Sequence, residues 1–508
     1  MILNFPQLRK IWPQVFATLI SSMAYLTVGI MRSWAATAVP SLNKPELRGE
    51  INEWALATSP QKPEIISWIV STLPLGAICG SLISSFPLNY LGRRPTLILA
   101  GTIFIIANLL IGLAQLDDIV PMILVGRVMG GIGVGITMPA TVIYISETTH
   151  SSLRGRLGCI PALLLALGVL LGYAIGAGVA WHQLAYISLI PPGILILGMC
   201  FLPESPVWLT RNGKVQLAIK SSDWFNLENE STKPTAPSAN STQEKDNNNF
   251  SEEKTEQREN KTEENTNTTE DNGKLEEAQA EQQEITQKFI SRGVLHPLSL
   301  SMVLMFLQSW SGINVLVFKT VEIFNAVGSS IDDYVATAVV GIVQLVATGG
   351  SVVLADKAGR RILLMISSLV MTVSIGILGL CFYLKGSEPL MPDSIGWLPL
   401  VCIILAFIGF SVGFGPIPFL IMGELFPARY RNILGSISSV TNLTTLFFLL
   451  RFFTDMTRAM TFHGVFWLYT AINLAGFFFV FFFLPETKGR NLAEIEDHFS
   501  GRKKMNSA

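Results

Sequence analysis

Charged side chains are scarce in this sequence: only 14% of the 508 residues are Asp, Glu, Lys or Arg, whereas 50% are hydrophobic. Soluble domains carry about 25% charged residues, so the composition excludes an ordinary soluble protein. A net charge of −1 offers nothing to attract a nucleic acid. We therefore expect a membrane protein whose partner is the lipid bilayer, without a nucleic-acid partner.

Reactive groups are equally sparse. The chain has five cysteines, and none of them stands in a Cys-x-x-Cys or Cys/His spacing that would hold a metal. A nucleophile constellation and a phosphate-binding loop are also missing from the sequence. The sequence thus predicts no metal, no cofactor and no enzymatic activity.

Long apolar runs, in contrast, are abundant. A bilayer core ~30 Å thick requires roughly 20 apolar residues for each helical crossing. Twelve such runs occur, six before residue 205 and six after residue 295. They lie at about 13–33, 64–88, 95–115, 121–145, 158–180, 183–202, 297–325, 333–355, 362–385, 397–423, 433–453 and 464–484. We expect an all-α membrane protein in which residues 1–205 and 295–487 each form a six-helix bundle.

The segment between the bundles, residues 206–294, is predicted to be a cytoplasmic linker. From about 227 to 287 it consists of Asn, Glu, Lys, Ser and Thr with almost no large apolar side chain. Such a segment cannot bury enough surface to fold, so we expect it to be disordered. Its composition is compatible both with a simple tether and with a docking or regulatory segment. Residues 488–508 are predicted to form a cytoplasmic tail.

Basic residues mark one set of loops. The even-numbered loops contain Arg93 with Arg94, Arg154, and Arg360 with Arg361. Short loops rich in Lys and Arg stay on the cytosolic side of a membrane. Both termini and the linker are therefore predicted to lie in the cytosol of a protein embedded in the cell membrane.

Three short signatures occur twice, each at the same place in its half of the chain. The pairs are Gly92-Arg93-Arg94 with Gly359-Arg360-Arg361, Glu147 to Arg154 with Glu424 to Arg431, and Leu202-Pro203-Glu204-Ser205 with Leu484-Pro485-Glu486-Thr487. Three coincident repeats indicate two related six-helix halves.

Further motifs complete the pattern of a known family. They are Gly-Arg-Val at 126–128, Pro-Glu-Ser-Pro at 203–206, Gln-x-x-Ser-Gly-x-Asn at 308–314, Gly-Phe-Gly-Pro-Ile-Pro at 413–418 and Pro-Glu-Thr-Lys-Gly at 485–489. With these motifs the chain resembles the sugar porters of the major facilitator superfamily. Pro161, the run 396–400 and the run 463–467 make it most similar to the insect facilitated trehalose transporter-like group. The resemblance implies the major facilitator fold, with two pseudo-symmetric bundles, and a small-molecule sugar as substrate.

A sugar is a neutral polyol, so its site needs uncharged hydrogen-bonding side chains near the midplane of the bilayer. Gln308, Ser311 and Asn314 in the seventh run are spaced by three and three, which predicts that they share one face of a helix. Asn442 and Gln344 are further candidates in the eleventh and eighth runs. A structural role as hydrogen bonds between helices remains an alternative for these side chains.

The resemblance adds detail to this site. Gln308, Asn314 and Asn442 correspond to sugar-contacting positions of the facilitative glucose transporters, and Phe419 stands where that group has a tryptophan. Ser309 replaces the family's second glutamine. Fewer donors and more room fit a larger sugar such as a disaccharide, or a divergent carrier that has lost ordinary glucose binding.

Two stretches are predicted to act as gates. Gly415, Pro416 and Pro418 interrupt the tenth run, either as a bend that opens and closes or as a static kink.

The second predicted gate is in the seventh run, where Phe318 and Lys319 replace a tyrosine pair of the family. Glu322 is one helical turn from Lys319 and is placed to pair with it. Lys319 is expected to reach up to the outer vestibule, or else to take part in an outer gate or an anion contact.

The repeated charges are predicted to form a cytoplasmic latch that closes the inner side. Exposed ion pairs contribute only ~0–1 kcal/mol each, which suits contacts that must break when the transporter opens. The predicted members are Arg93, Arg94, Glu147, Arg154, Glu204, Arg360, Arg361, Glu424, Arg431 and Glu486. The alternative is that these charges only fix the topology.

The energy source follows from the first run. By resemblance, proton-driven sugar porters carry an aspartate in this helix, whereas residues 25–29 contain no carboxylate. We therefore expect facilitated (uniport) transport by alternating access of trehalose or a related mono- or disaccharide. The alternatives are a transporter-like sugar sensor and a carrier of a non-sugar solute such as an organic anion held by Lys319.

Overall fold

The computed structural model describes residues 5–43, 62–114, 119–227, 292–327, 333–386, 397–426 and 431–486, together with residue 499. Within these ranges the chain forms eighteen helices and no strand. Residues 228–291 of the predicted linker lie outside the described residues, as do residues 487–498 and 500–508.

The helices of the first half are α1 (Phe5–Asn43), α2 (Lys62–Ile83), α3 (Ser85–Tyr90), α4 (Arg93–Leu113), α5 (Ile119–Thr148), α6 (Ser151–Leu157), α7 (Ile160–Gly178), α8 (Trp181–Ile187), α9 (Ile190–Phe201), α10 (Pro206–Arg211) and α11 (Val215–Trp224). The helices of the second half are α12 (Arg292–Ser309), α13 (Ile313–Val327), α14 (Asp333–Ala358), α15 (Arg360–Gly386), α16 (Leu398–Val412), α17 (Ile417–Leu425) and α18 (Arg431–Phe483).

Twelve crossings follow from these helices, in agreement with the sequence. Ten helical stretches are long and apolar enough to span a bilayer. One of them, α18, is bent at Thr461, where φ is 62°, and supplies crossings eleven and twelve. The shorter apolar stretch Val335–Ser351 in α14 supplies crossing eight. Crossing seven consists of α12 and α13, and crossing ten of α16 and α17.

Helices of the first half approach one another through glycines. A Cβ atom on Gly29 of α1 would lie 2.2 Å from the Leu165 carbonyl oxygen of α7, and one on Gly76 of α2 would lie 2.0 Å from the Val128 carbonyl oxygen of α5. Lipid gives helices no hydrophobic reason to associate, so close backbone contact between small residues supplies much of the packing energy. These contacts hold α1 to α7 and α2 to α5.

The two halves meet along three pairs of helices, namely α2 with α18, α7 with α14, and α1 with α13. Gly341 of α14, for example, lies against Leu170 and Tyr173 of α7. We call the end of the bundle near Arg93 and Arg94 the inner end and the opposite end the outer end. The predicted solute site is expected between the halves, where these pairs converge.

Candidate solute site between the two halves

Crossing seven is interrupted beside the predicted site. Helix α12 ends at Ser309 and α13 begins at Ile313. Gly312 has a φ of 91°, and a Cβ atom there would lie 2.9 Å from the Tyr469 ring. The prediction that Gln308, Ser311 and Asn314 share one face of a continuous helix is therefore wrong. The glycine places a left-handed turn between Gln308 and Asn314, and spacing alone did not reveal it.

Gln308, Ser309 and Asn442 form a hydrogen-bonded cluster that joins crossings seven and eleven. Asn442 Nδ2 donates to Ser309 Oγ at 2.8 Å and also to Gln308 Oε1. Ser309 Oγ in turn donates to the Asn442 carbonyl at 3.0 Å. The side chains of Gln308 and Asn442 are only 7% exposed. Three of the predicted site residues are thus brought together within the protein and away from lipid.

The break in crossing seven exposes further polar atoms. Asn314 is partly exposed and its Nδ2 donates to the Ser309 carbonyl at 3.1 Å. Gln308 Nε2 lies 3.4 Å from the Gly415 carbonyl of the interrupted crossing ten. The cluster therefore borders both interrupted crossings. At these interruptions, backbone N–H and C=O groups lack the hydrogen bonds of a regular helix.

Gln344 and Phe419 lie apart from these hydrogen bonds. Gln344 is buried, and its Oε1 accepts no hydrogen bond from the described residues. An unpaired acceptor is costly at this depth and calls for a partner that donates. Phe419, in α17, is half-buried. Its side chain takes no part in the hydrogen-bonded cluster.

Crossing ten is interrupted where its glycines and prolines predict. Helix α16 ends at Val412, and α17 begins at Ile417 after Gly415 and Pro416. The Phe414 N–H donates to Ser367 Oγ of α15 at 3.1 Å. The predicted bend is confirmed, while its role as a gate stays a prediction.

Polar residues of crossings nine and twelve form hydrogen bonds beside the interrupted crossings. These residues were not identified from the sequence. Asn473 Nδ2 donates to the Ser311 carbonyl at 3.0 Å, and Ser368 Oγ donates to the Asn473 carbonyl. Asn473 is the lone amide in the strongly apolar stretch 464–484. A single polar side chain in such a run is the signal that would have identified it.

Lys319 is buried in the outer part of crossing seven. Its side chain is 3% exposed, so in this structure it does not reach an outer vestibule. Its Nζ pairs with Glu322 Oε2 at 2.8 Å, as the spacing predicted, and lies 5.0 Å from the centre of the Phe453 ring. The backbone at Lys319 leaves the helical region, and its neighbour Phe318 is 1% exposed.

Several contacts join the halves near this outer end. Tyr173 of α7 donates its hydroxyl to the Val317 carbonyl of α13 at 2.6 Å. Arg451 of α18 stacks 4.8 Å from the centre of the Trp68 ring of α2 and pairs with Glu64 at 3.4 Å. The halves are thus joined at the outer end, α7 to α13 and α2 to α18.

Matched carboxylates occupy the inner end. Glu204 accepts the backbone N–H groups of Arg93 and Arg94 at 3.0 and 3.1 Å. Glu486 accepts those of Arg360 and Arg361, each at 3.1 Å. Both carboxylates thus bind the N-terminus of an earlier helix of their own half, α4 for Glu204 and α15 for Glu486, where the helix dipole favours negative charge. Burial raises the pKa of Glu204, although hydrogen bonds from the backbone of Ser205, Arg94 and Arg93 oppose that rise.

The contacts of Arg93 and Glu147 remain within one half. Arg93 Nη2 pairs with Glu147 Oε1 at 2.8 Å, and Ser205 Oγ donates to the other carboxylate oxygen. Arg94 Nη2 donates to the Cys200 carbonyl at 2.8 Å, and Arg154 is exposed. The side chains of Glu424 and Arg431 lie outside the described residues. These contacts brace the first bundle, and a latch between the bundles stays a prediction.

Arg127 shows how the first half satisfies a deeply buried cation. It is 0% exposed and donates to the carbonyl groups of Met31, Ile69 and Val70 at 2.7, 3.1 and 3.4 Å. Its guanidinium also lies 5.4 Å from the centre of the Trp34 ring. Backbone carbonyls of α1 and α2 therefore take the place of a carboxylate partner.

Comparison with solved structures shows the fold. The chain is 21% identical to the inward-open xylose transporter XylE from E. coli, with a TM-score of 0.68 over 94% of this chain and 98% of the other. The proton:xylose symporter XylE bound to 6-bromo-6-deoxy-D-glucose gives 21% identity and a TM-score of 0.69 over 96% and 99%. The expected all-α major facilitator fold is thereby confirmed.

Comparison of sequences shows the family. The chain is 34% identical over 493 residues to the facilitated trehalose transporter Tret1 of Drosophila erecta and 33% identical over 492 residues to that of Drosophila willistoni. Each match covers 97% of this chain and 52% of the relative, so the chain spans about half the length of these relatives. The family model described as "Sugar (and other) transporter" matches residues 51–499. As the sequence predicted, the chain is a multi-pass membrane protein of a transporter family and not an enzyme: it belongs to the sugar (and other) transporter family.

Proposed function

We propose that this protein carries out facilitated (uniport) transport of a sugar, trehalose or a related mono- or disaccharide, by alternating access. The observation that carries the proposal is the cluster of Gln308, Ser309 and Asn442 between crossings seven and eleven. Its groups are uncharged, buried and at lipid depth, which suits a neutral polyol. The names of the curated relatives support trehalose as a substrate.

The cluster can exchange its internal hydrogen bonds for bonds to a solute. Amide groups both donate and accept, so Gln308 and Asn442 can each serve sugar hydroxyls without leaving a buried group unpaired. Asn314 is partly exposed beside them, and Gln344 Oε1 accepts no hydrogen bond from the described residues. Phe419 supplies an aromatic surface for a sugar ring.

Uniport is supported by the surroundings of Arg127. Its described partners are backbone carbonyls, and none of them gains or loses a proton. Arginine itself does not release its proton at ordinary pH. A passive carrier therefore fits this first half better than a proton-driven one.

The interrupted crossings supply the moving parts. We propose that the outer part of crossing seven, with Phe318 and Lys319, and the bend at Gly415, Pro416 and Pro418 change shape between states. In this proposal, the hydrogen bond from Tyr173 to the Val317 carbonyl holds the outer side closed. The ten residues of the proposed cytoplasmic latch then close the inner side in the opposite state.

The same proposal places the protein in the cell membrane with both termini in the cytosol. Residues 1–205 and 295–487 form the two bundles, 206–294 the linker between them and 488–508 the tail. Arginine-rich loops at one end of the bundle support this orientation.

Uptake into liposomes containing the purified chain tests the proposal. We expect labelled trehalose or glucose to equilibrate without a proton gradient, and Gln308→Ala or Asn442→Ala to slow uptake on the order of tenfold because each removes hydrogen bonds that orient the solute. Asn108→Ala is the matched control, since Asn108 is a buried asparagine that, among the described residues, donates to the Phe104 carbonyl of its own helix. Equal uptake by all four proteins would refute the site, and binding without uptake would favour a sensor.

A further inference from the structure

Arg32 is a cation within α1 whose surroundings differ from those of the other membrane arginines. It lies inside the apolar span Ile11–Val39, seven residues or about 10 Å from its outer end. A charge at this depth is costly and is kept where it serves a function. The question is what compensates the charge of Arg32.

The side chain of Arg32 faces the interior of the protein. Tyr25 is two helical turns below it, on the same face of α1, and donates its hydroxyl to the Met138 carbonyl of α5 at 3.2 Å. The lipid-facing side of α1, marked by exposed Trp12 and Phe16, is on the opposite face. Since Arg32 is partly exposed, its surface opens to a space inside the bundle.

Arg127 and Arg451 have the partners that Arg32 lacks. Arg127 donates to three carbonyls, and Arg451 pairs with Glu64 and stacks on Trp68. Among the described residues none forms a hydrogen bond or an ion pair with the Arg32 side chain. Lys319, a further cation in the outer part of crossing seven, is paired with Glu322.

We propose that Arg32 is a specificity-determining residue that binds an anionic group of the transported solute, a carboxylate or a phosphate carried on a sugar. A guanidinium presents a planar fork of donors that matches both groups. A cation that faces the pathway without a protein carboxylate gains its counter-charge from the solute. The inference rests on the proposed sugar transport and adds sugar acids or sugar phosphates to the substrates.

Uptake and competition in liposomes containing the full chain test this inference. The anionic probes are D-glucuronate and glucose 6-phosphate, and the neutral probes are D-glucose and trehalose. Uniport of an anion moves charge, so a potassium diffusion potential that is positive inside should speed uptake of an anionic probe and leave neutral uptake unchanged. The two anionic probes separate carboxylate from phosphate.

Three variants identify the residue. Arg32→Gln should reduce anionic uptake on the order of tenfold or more, the loss expected for one charge-assisted hydrogen bond, and change neutral uptake much less. Arg32→Lys should retain part of the anionic uptake because it keeps the charge. Arg458→Gln is the matched control, since Arg458 is an arginine whose side chain is 62% exposed at the outer end. Neutral uptake and a single elution peak report that each variant is folded.

The outcomes separate the two proposals. Neutral uptake without uptake of, or competition by, either anionic probe overturns the role of Arg32 and leaves sugar transport standing. Anionic uptake that Arg32→Gln does not change overturns it as well. Anionic uptake without neutral uptake overturns the proposed neutral substrate and supports Arg32, and failure of all four probes overturns both.

Discussion

The two halves of the molecule agree at their inner ends and differ at their centre. Gly92 and Glu204 in the first half match Gly359 and Glu486 in the second, with φ of 103° and 93° at the glycines and each carboxylate on the N-terminus of a helix. At the centre, crossings one and four are the continuous helices α1 and α5, whereas crossings seven and ten are broken. The matched inner ends are thus retained in both halves, and the polar cluster lies beside the two crossings, seven and ten, whose counterparts in the first half are continuous.

The difference has an energetic basis. A break in a membrane helix leaves backbone groups without partners, and each unpaired buried group costs ~1–3 kcal/mol. The second half offsets this cost with Asn314, Asn442 and Asn473, which all donate to backbone carbonyls near the break. Crossings one and four of the first half have no such break to support, and Asn108, a buried asparagine of that half, bonds within its own helix.

The largest effect on the interrupted crossing seven is expected from Gly312→Ala. A non-glycine residue at positive φ costs on the order of 1–2 kcal/mol, and crowding against the Tyr469 ring adds ~1–3 kcal/mol. We expect a clear fall in the thermal unfolding temperature of the detergent-solubilised protein, together with a loss of sugar uptake.

Gly193→Ala provides the control in the first half. A Cβ atom there meets nothing within 4 Å, and alanine favours a helix by about 0.5–1 kcal/mol over glycine. Its unfolding temperature should stay the same or rise slightly. If both substitutions behaved alike, the turn at Gly312 would not depend on glycine.

The sequence predicted the membrane crossings and the matched inner ends better than the local structure of the solute site. Twelve apolar runs and repeated charges follow from local composition, so the crossings and the matched signatures could be located without a structure. The turn at Gly312 could not, because spacing at Gln308, Ser311 and Asn314 fits an unbroken helix equally well. Glu204 and Glu486 also accept backbone N–H groups, which are not visible in a pattern of side-chain types.

An intermediate effect is expected from Tyr173→Phe, which removes a hydrogen bond between the halves. One such bond contributes about 1 kcal/mol, so the population open to the outside should rise roughly fivefold. The measurement is the labelling rate of an Asn314→Cys reporter by an impermeant thiol reagent added outside, after the five native cysteines have been replaced by serine.

Tyr144→Phe is the matched control, because Tyr144 is a buried tyrosine that donates to the Pro203 carbonyl at 2.9 Å within the first half. Tyr144→Phe removes a hydrogen bond of the same kind, but this bond does not join the two halves. Faster labelling in Tyr173→Phe alone supports a role of the Tyr173–Val317 hydrogen bond in closing the outer side. Equal rates in the two variants would argue against that role.

The smallest effect concerns the pH dependence of the inner end. Burial raises the pKa of Glu204 above its ordinary value of 4.5, so the folded protein binds this proton more tightly than the unfolded chain. The stability contributed by protonated Glu204 is present below pH 4.5 and is lost as pH rises through the higher folded pKa. Thermal unfolding of the wild type should therefore lose stability across that window relative to Glu204→Gln, whose amide oxygen still accepts the Arg93 and Arg94 N–H groups. Parallel pH profiles for the two proteins would show that the Glu204 carboxylate is as well stabilised in the fold as it is in water.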